Sequence, residues 1–306
     1  MLGFPPVRVL FCGSGWRTFV DILARAMPPG TTVDLWDLGE PLERVVPGYH
    51  VLLPSNGPIT AAVIAAATDL RLIQQPAAGT DNIDVVAARA RGIPVCNAPG
   101  AGGESVAEMA LFLMLALLRR LPESRRAFAD RLIGQPIGRQ LRGRRIGIVG
   151  VGLIGSALAR LAEAVGMTVT AVGSGRSDDE WQKLLREADV VSLHCPLTAA
   201  TRGLMDDRAF SLMKPGALLI NCARGPVIDR AALERALDGG TLGGAGLDVF
   251  WDEPWDPDDP LYIRHDVVVM PHVGSSTEEA MSRIAAIVAG NMDRISRGAP
   301  LLHRVA

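Results

Sequence analysis

Arg145-Ile146-Gly147-Ile148-Val149-Gly150-Val151-Gly152-Leu153-Ile154-Gly155-Ser156-Ala157-Leu158-Ala159-Arg160 is the stretch whose reading decides the fold. It opens on a short apolar run of buried-strand type. It then turns through Gly150-x-Gly152-x-x-Gly155 and enters an alanine- and leucine-rich helical segment. Strand, glycine turn and helix is the order that a dinucleotide fingerprint requires. Gly150 allows the tight turn, Gly152 lets a pyrophosphate approach the backbone, and Gly155 lets the helix pack close to its strand. The N–H groups at the start of that helix, on Leu153 and Ile154, then face the phosphates. In a chain with 33 glycines the bare pattern is weak evidence. The strand before it, the helix after it and a second strand at 168 to 172 give it the required context.

Outward from that stretch, the 306 residues leave room for two domains. A composition of 48% hydrophobic and 21% charged residues is that of an ordinary globular protein. A net charge of -2 offers no basic surface to nucleic acid or to an anionic membrane. Cys12, Cys96, Cys195 and Cys222 form no C-x-x-C pair, so they read as buried thiols of a reducing compartment, with no zinc site. No signal peptide is evident at the N-terminus. The longest apolar run, 109 to 118, is too short to span a bilayer. A cytoplasmic protein without a metal is the expectation.

Residues 7 to 97 alternate short apolar strands, at 7 to 11, 33 to 36, 51 to 53, 70 to 74 and 93 to 96, with helical stretches such as 59 to 67 and 83 to 90. That alternation argues a parallel sheet with helices on both faces. Two of its strand-end loops can face a ligand: Leu53-Pro54-Ser55-Asn56-Gly57 and Pro76-Ala77-Ala78-Gly79-Thr80-Asp81. The second can offer N–H groups to a small anion; an ordinary glycine turn is the other reading. The Pro- and Gly-rich run at 97 to 103 marks a domain boundary. A long helix, 104 to 121, follows and is apolar almost all round. It reads as a subunit interface as well as a core, or as the central helix of a monomer. Residues 122 to 144 read as an irregular arm.

Beyond the fingerprint, strands are expected at 168 to 172, 190 to 193, 217 to 220, 245 to 249 and 267 to 270. Helices are expected at 181 to 187, 206 to 213 and 230 to 237. A last helix from 277 to 297 has Ser276 as a candidate N-cap. The domains are then 1 to 97, completed by 277 to 306, and 98 to 276.

Three polar clusters lie at strand ends of the second sheet: Asn221-Cys222-Ala223-Arg224-Gly225, Asp248-Val249-Phe250-Trp251-Asp252-Glu253-Pro254, and Pro271-His272-Val273-Gly274-Ser275-Ser276. By the strand-end rule all three face the dinucleotide crevice. Arg224, Glu253 and His272 are the residue types that hydride chemistry on a 2-oxo acid needs. An arginine holds a carboxylate through two parallel hydrogen bonds and polarises the neighbouring carbonyl. A histidine gives the carbonyl oxygen its proton. A carboxylate fixes the imidazole's tautomer and favours its charged form. Each residue alone reads more simply as structural; their joint placement reverses that weighting. His194-Cys195-Pro196-Leu197-Thr198, ending another strand, is expected to line the adenosine half of the site.

Here the chain resembles the D-isomer-specific 2-hydroxyacid dehydrogenases over essentially its whole length, including the type that reduces glyoxylate or hydroxypyruvate. The resemblance rests on Gly79-Thr80-Asp81-Asn82-Ile83-Asp84, Ser105-Val106-Ala107-Glu108, the glycine fingerprint, His194 to Thr198, Asn221 to Gly225, Gly246-Leu247-Asp248-Val249-Phe250 with Glu253-Pro254, and Pro271 to Gly274. It implies an α/β protein of two doubly wound parallel-sheet domains, a Rossmann cofactor domain inserted in a flavodoxin-like substrate domain, and a homodimer built on the long helix. It implies catalytic roles for Arg224, Glu253 and His272. Substrate contacts would come from Leu53, Ala78, Gly79 and Ser275 beside Arg224 and His272. Cofactor contacts would add Leu153, Ile154, Cys195, Pro196, Thr201, Cys222, Ala223, Asp248 and Gly274 to the fingerprint glycines and His194. The site is expected between two domains that close on the substrate.

Two departures follow. Family members that use NAD carry an acid eighteen positions after the third glycine, where this chain has Gly173 followed by Ser174-Gly175-Arg176. An acid there repels a 2′-phosphate. Gly173 removes the repulsion, and Ser174 and Arg176 supply donors, so NADP(H) is expected over NAD(H). The arm also lacks the tryptophan that many glyoxylate and hydroxypyruvate reductases carry, and Trp251 is a candidate replacement. The alternative from another class is a non-catalytic dinucleotide-sensing binder on the same scaffold. Turnover of a 2-oxo acid separates the two.

Overall fold

A computed structural model describes residues 6 to 306, and the chain divides into two compact units. The first runs up to Gly102 and is completed by Ser276–Ala306; the second is Gly103–Ser275.

In chain order the first unit holds β1 (Val7–Phe11), α1 (Phe19–Ala26), β2 (Thr31–Leu35), α2 (Leu42–Val45), β3 (Val51–Leu53), α3 (Ala61–Ala66), β4 (Leu72–Gln74), α4 (Val85–Ala90) and β5 (Val95–Cys96). The second holds α5 (Gly103–Leu118), α6 (Leu121–Ala129), β6 (Arg145–Val149), α7 (Leu153–Ala164), β7 (Thr168–Val172), α8 (Asp178–Glu187), β8 (Val190–Leu193), α9 (Asp207–Leu212), β9 (Ala217–Asn221), α10 (Arg230–Asp238), β10 (Leu242–Leu247) and β11 (Val267–Val269). The terminal helix α11 (Glu278–Arg297) returns to the first unit.

Both sheets are parallel throughout. The first has the order β2-β1-β3-β4-β5 and the second β11-β10-β9-β8-β6-β7. Parallel strands covered on both faces are apolar at every position. In the first sheet Val9, Phe11, Val51 and Leu53 point to one core with α1 and α11, while Leu10, Leu52 and Ile73 point to the other. In the second, Ile146, Ile148, Leu218 and Ile220 pack under α5 and α7, and Val191, Leu193, Leu219 and Leu247 face α8, α9 and α10. Strand order reverses between β1 and β3 in one sheet and between β6 and β8 in the other. Outside the carboxyl ends of those strands lies the crevice of such a sheet.

The chain departs from the sequence reading in several places. Helices α1 and α2 were not anticipated, and α6 replaces the start of the expected irregular arm. Pro122 in the first turn of α6 supplies a helix-start signal, since proline is preset for that position. Thr277, not Ser276, caps α11: its hydroxyl accepts the Ala280 N–H at 3.2 Å. Strand β10 begins three residues early, at Leu242, because neighbouring strands pair with a glycine-rich segment that carries no strand signal of its own. Among the described residues no helix is long and apolar enough to cross a membrane.

Candidate active site

The fingerprint turn fits the end of β6 without slack. Gly150 has φ +107°, and a Cβ on it would lie 2.7 Å from the backbone of His194, which ends the neighbouring β8. A Cβ on Gly155 would lie 1.9 Å from the Gly150 carbonyl oxygen. By contrast a Cβ on Gly152 would meet nothing within 4 Å. No side chain caps α7 at Gly152, so the first N–H groups of a twelve-residue helix face open space. That geometry fits the pyrophosphate of a dinucleotide, whose charge the helix terminus favours. Leu153 lies exposed and Ile154 half-buried at the rim of this turn.

His194, expected in the adenosine half, sits beneath the turn. Its Nε2 lies 2.8 Å from the Ser192 hydroxyl, and burial pushes its pKa down to about 4, so the imidazole is neutral. Its side chain is therefore a support, and the following loop forms the rim. Thr201 ties that loop together: its hydroxyl donates to the Pro196 carbonyl at 2.6 Å and accepts the Thr198 N–H at 2.8 Å. Burial raises the Cys195 thiol, opposed by the nearby charge of Arg176. That places the guanidinium beside the Cys195 loop. It also lies over the Trp181 ring, 4.7 Å from its centroid. Ser174 is exposed, and a Cβ on Gly173 would lie 3.2 Å from Val151 Cγ2.

The other strand ends converge on a second cluster. At the end of β9, Asn221 is fully buried and braces the next three residues: its Oδ1 accepts the Ala223 N–H at 3.0 Å and its Nδ2 donates to the Arg224 carbonyl at 2.9 Å. Gly225 packs so tightly on the next loop that a Cβ there would lie 2.1 Å from the Phe250 carbonyl. This close approach sets Arg224 beside the loop of Glu253. Cys222 and Ala223 are buried, and burial holds the Cys222 thiol far above its usual pKa.

His272 follows β11 with φ 53°, in the left-handed region that a histidine seldom adopts. Two carboxylates hold it there. Asp248, at the end of β10, is 2% exposed, and its oxygens accept the N–H groups of Val273 at 2.9 Å and Gly274 at 2.8 Å. Glu253 lies 2.7 Å from His272 Nδ1 and also accepts the Phe250 N–H at 3.2 Å. Burial pushes the Asp248 carboxyl up, against the opposing pull of its two N–H donors and of His272. Burial acts the same way on Glu253, but the hydrogen bond and charge of His272, with the charge of Arg224, outweigh it and leave its pKa lowered. Glu253 is thus ionised at neutral pH. It accepts an Nδ1–H and leaves Nε2 of His272 as the nitrogen that can exchange a proton with a ligand.

Glu253 and His272 are thus paired, and Arg224 is near enough for its charge to help lower the Glu253 pKa. Two expectations fail. Leu53 is fully buried in the core of the first unit, so its side chain reaches no ligand. Trp251 turns inward, donating from Nε1 to the Ile228 carbonyl at 2.8 Å and packing on the core. Ser275 is half-buried in the His272 loop. Ala78 and Gly79 lie on the loop after β4 in the other unit. Sequence reasoning missed Asn221 as a brace, Asp248 as the grip on the His272 loop, and Trp181 beneath Arg176. Asp248 acts on residues 25 and 26 positions away, while Asn221 and Trp181 act on near neighbours whose loop geometry carries no pattern signal. Among the described residues no group of three metal-ligating side chains is present.

Known proteins resemble this chain in sequence and fold. Residues 111–274 match the family model described as D-isomer specific 2-hydroxyacid dehydrogenase, NAD binding domain. A glyoxylate reductase of Korarchaeum cryptofilum is 40% identical over 288 residues, 87% of this chain and 87% of that relative. A D-3-phosphoglycerate dehydrogenase of Archaeoglobus fulgidus is 37% identical over 279 residues, but this chain spans only 53% of its length. Among solved structures, the TT0316 protein of Thermus thermophilus superposes with a TM-score of 0.87 at 34% identity, covering 98% of this chain and 100% of that one.

Proposed function

This chain belongs to the D-isomer-specific 2-hydroxyacid dehydrogenases, oxidoreductases that use a nicotinamide dinucleotide, and from that premise we propose that it reduces a small 2-oxo acid, glyoxylate or hydroxypyruvate, to the D-2-hydroxy acid with NADPH. The observation that carries the reading is the 2.7 Å pair of His272 and Glu253 beside Arg224. Arg224 holds the substrate carboxylate and polarises the carbonyl next to it. His272 gives a proton from Nε2 to the carbonyl oxygen as that oxygen gains charge, and Glu253 stabilises the imidazolium before the transfer. A nicotinamide dinucleotide held at the Gly150 to Gly155 turn would supply the hydride. Asp248 fixes the His272 backbone so that the imidazole is in place before substrate arrives. In the reverse direction His272 accepts the hydroxyl proton. Steady-state oxidation of NADPH against a panel of 2-oxo acids tests the reading. Failure to turn over any of them would favour the non-catalytic dinucleotide binder.

Preference for NADPH rests on the end of β7. Gly173 presents no carboxylate to a ribose 2′-phosphate, and Ser174 and Arg176 follow directly. Arg176 rests its face on Trp181, which leaves its in-plane N–H groups for a phosphate. Higher catalytic efficiency with NADH than with NADPH would overturn this part. A homodimer through α5 is favoured by Phe112 and Leu115, each 42% exposed on that helix. Sedimentation of the full chain tests it.

A further inference from the structure

Glu253 sits in a long irregular segment, residues 248 to 266, between β10 and β11. Loops beyond about 12–15 residues without helix or strand are uncommon, and contacts must offset the entropy of ordering them. Here the contacts gather on both sides of Glu253. They end on one short stretch, residues 225 to 230, which follows Arg224 and enters α10. Before Glu253, the Phe250 backbone lies against Gly225, and Trp251 Nε1 donates to the Ile228 carbonyl at 2.8 Å. After Glu253, Asp259 receives Arg230, whose Nη2 donates to both carboxylate oxygens at 2.8 and 2.6 Å.

The ion pair is built into the loop. The Asp259 side chain is 12% exposed. Its Oδ1 also accepts the Leu261 N–H at 3.0 Å, and its carbonyl accepts the Tyr262 N–H at 2.9 Å. Leu261 is buried in the core, and Tyr262 meets Phe250 edge to face with ring centroids 5.1 Å apart. The Arg230 guanidinium is steadied by Glu234, whose Oε1 accepts its Nε–H at 2.9 Å, and it lies 5.8 Å from the centroid of the Trp251 ring. One arginine thus touches both flanks of Glu253. A charge-assisted bond shielded on one side is worth more than a fully exposed pair. Three charged groups face the Glu253 carboxylate from separate elements: His272 after β11, Arg224 after β9 and Asp248 at the end of β10. A loop free to slide along α10 would loosen the contacts with His272 and Arg224.

We infer that Arg230 and Asp259 are positioning residues: with the Trp251 tie, their ion pair clamps the Glu253 loop to the stretch that begins at Arg224 and so fixes the carboxylate against His272. This rests on the 2-oxo acid reductase reading and adds two residues that touch no substrate. The clamp acts on the groups of the chemical step and leaves the dinucleotide turn at Gly150 alone. Its loss therefore lowers kcat and spares NADPH KM.

The test is Arg230→Met and Asp259→Asn in the full chain, with thermal melts to establish folding. At neutral pH, kcat for glyoxylate with saturating NADPH is expected to fall about tenfold in each, the effect of roughly one weakened hydrogen bond to a charged group. NADPH KM should not move. The acid limb of the kcat profile should move to higher pH, because a carboxylate that loses His272 and Arg224 returns toward its ordinary value. A merely structural role would lower the melt and leave that limb in place. The side-chain carboxyl carbon resonance of Glu253, assigned with Glu253→Gln, reads the same titration without turnover. Asp259→Asn keeps the acceptor for the Leu261 N–H, so it carries the test if Arg230→Met unfolds. Glu234→Gln removes the more exposed partner of Arg230 and should move neither readout; an equal shift there would overturn the role of Asp259. Folded variants with an unmoved acid limb and an unmoved carboxyl titration overturn the clamp while the reductase reading stands. Wild-type protein that reduces no 2-oxo acid, with a Glu253 titration raised by Asp259→Asn, keeps the clamp and overturns the reductase.

Discussion

The strand-end loops of the two sheets are fixed by different chemistry. In the first unit, Gln75, Asn82 and Asn97 hold backbone carbonyls through side-chain amides. In the second, Asp248 and Glu253 hold a backbone and an imidazole through carboxylates. Amides orient without titrating, so they suit a surface that only has to bind an anion. Carboxylates set protonation states as well as positions, so they suit a group that must move a proton. The contrast is between loops held by neutral amides and loops held by titrating carboxylates, and both are built on the same parallel-sheet plan.

The sharpest way to break the contrast is to remove the proton donor. His272→Ala is expected to lower kcat by about 10²–10⁴, the usual worth of a positioned general acid. A wild-type kcat, measured with saturating NADPH and glyoxylate, would end the assignment. Next in size is the cofactor end of the second unit. Arg176→Ala should raise NADPH KM about ten- to a hundredfold, from roughly 1.5–3 kcal/mol for a hydrogen bond to charge, with NADH nearly unaffected. The converse change, Gly173→Asp, should weaken NADPH more than it improves NADH. The new side chain starts 3.2 Å from Val151, and a second change at Val151 should be needed to recover NADH use.

Asp248→Ala probes the carboxylate grip directly. It leaves two N–H groups in a buried loop without their acceptor, at roughly 1–3 kcal/mol each, and frees His272 from its left-handed conformation. A melt lowered by several degrees together with a fallen kcat is expected. An unchanged kcat would make Asp248 a purely structural residue. The smallest effect is in pH. Glu253 has a lowered folded pKa, so the stability it contributes is present above its unfolded value and is lost as pH falls through the folded one. Activity that depends on its carboxylate should therefore persist to pH values below the ordinary glutamate range. Glu253→Gln should remove that acid limb, which a pH profile of kcat would show.

How much of this was readable beforehand differs between the two sites. The Gly150, Gly152 and Gly155 spacing, the strands at 7 to 11, 51 to 53, 168 to 172 and 190 to 193, and the placement of Arg224, Glu253 and His272 after strands all follow from short-range pattern. Periodicity and turn chemistry act over a few residues, so they show in the sequence itself. The resemblance to a family added roles to those positions. Only the tertiary structure decided that Leu53 belongs to the core, that Trp251 turns toward Ile228, and that Asp248 grips the His272 loop. It alone placed Arg176 over Trp181 and pinned Ala78 through Asn97. The partners of Asp248 lie 25 and 26 residues away, and Asn291 lies 217 residues from Gln74. No local propensity encodes which strand ends come together. Parallel sheet order brings them side by side, and the demand that buried polar groups be satisfied then selects the pairs.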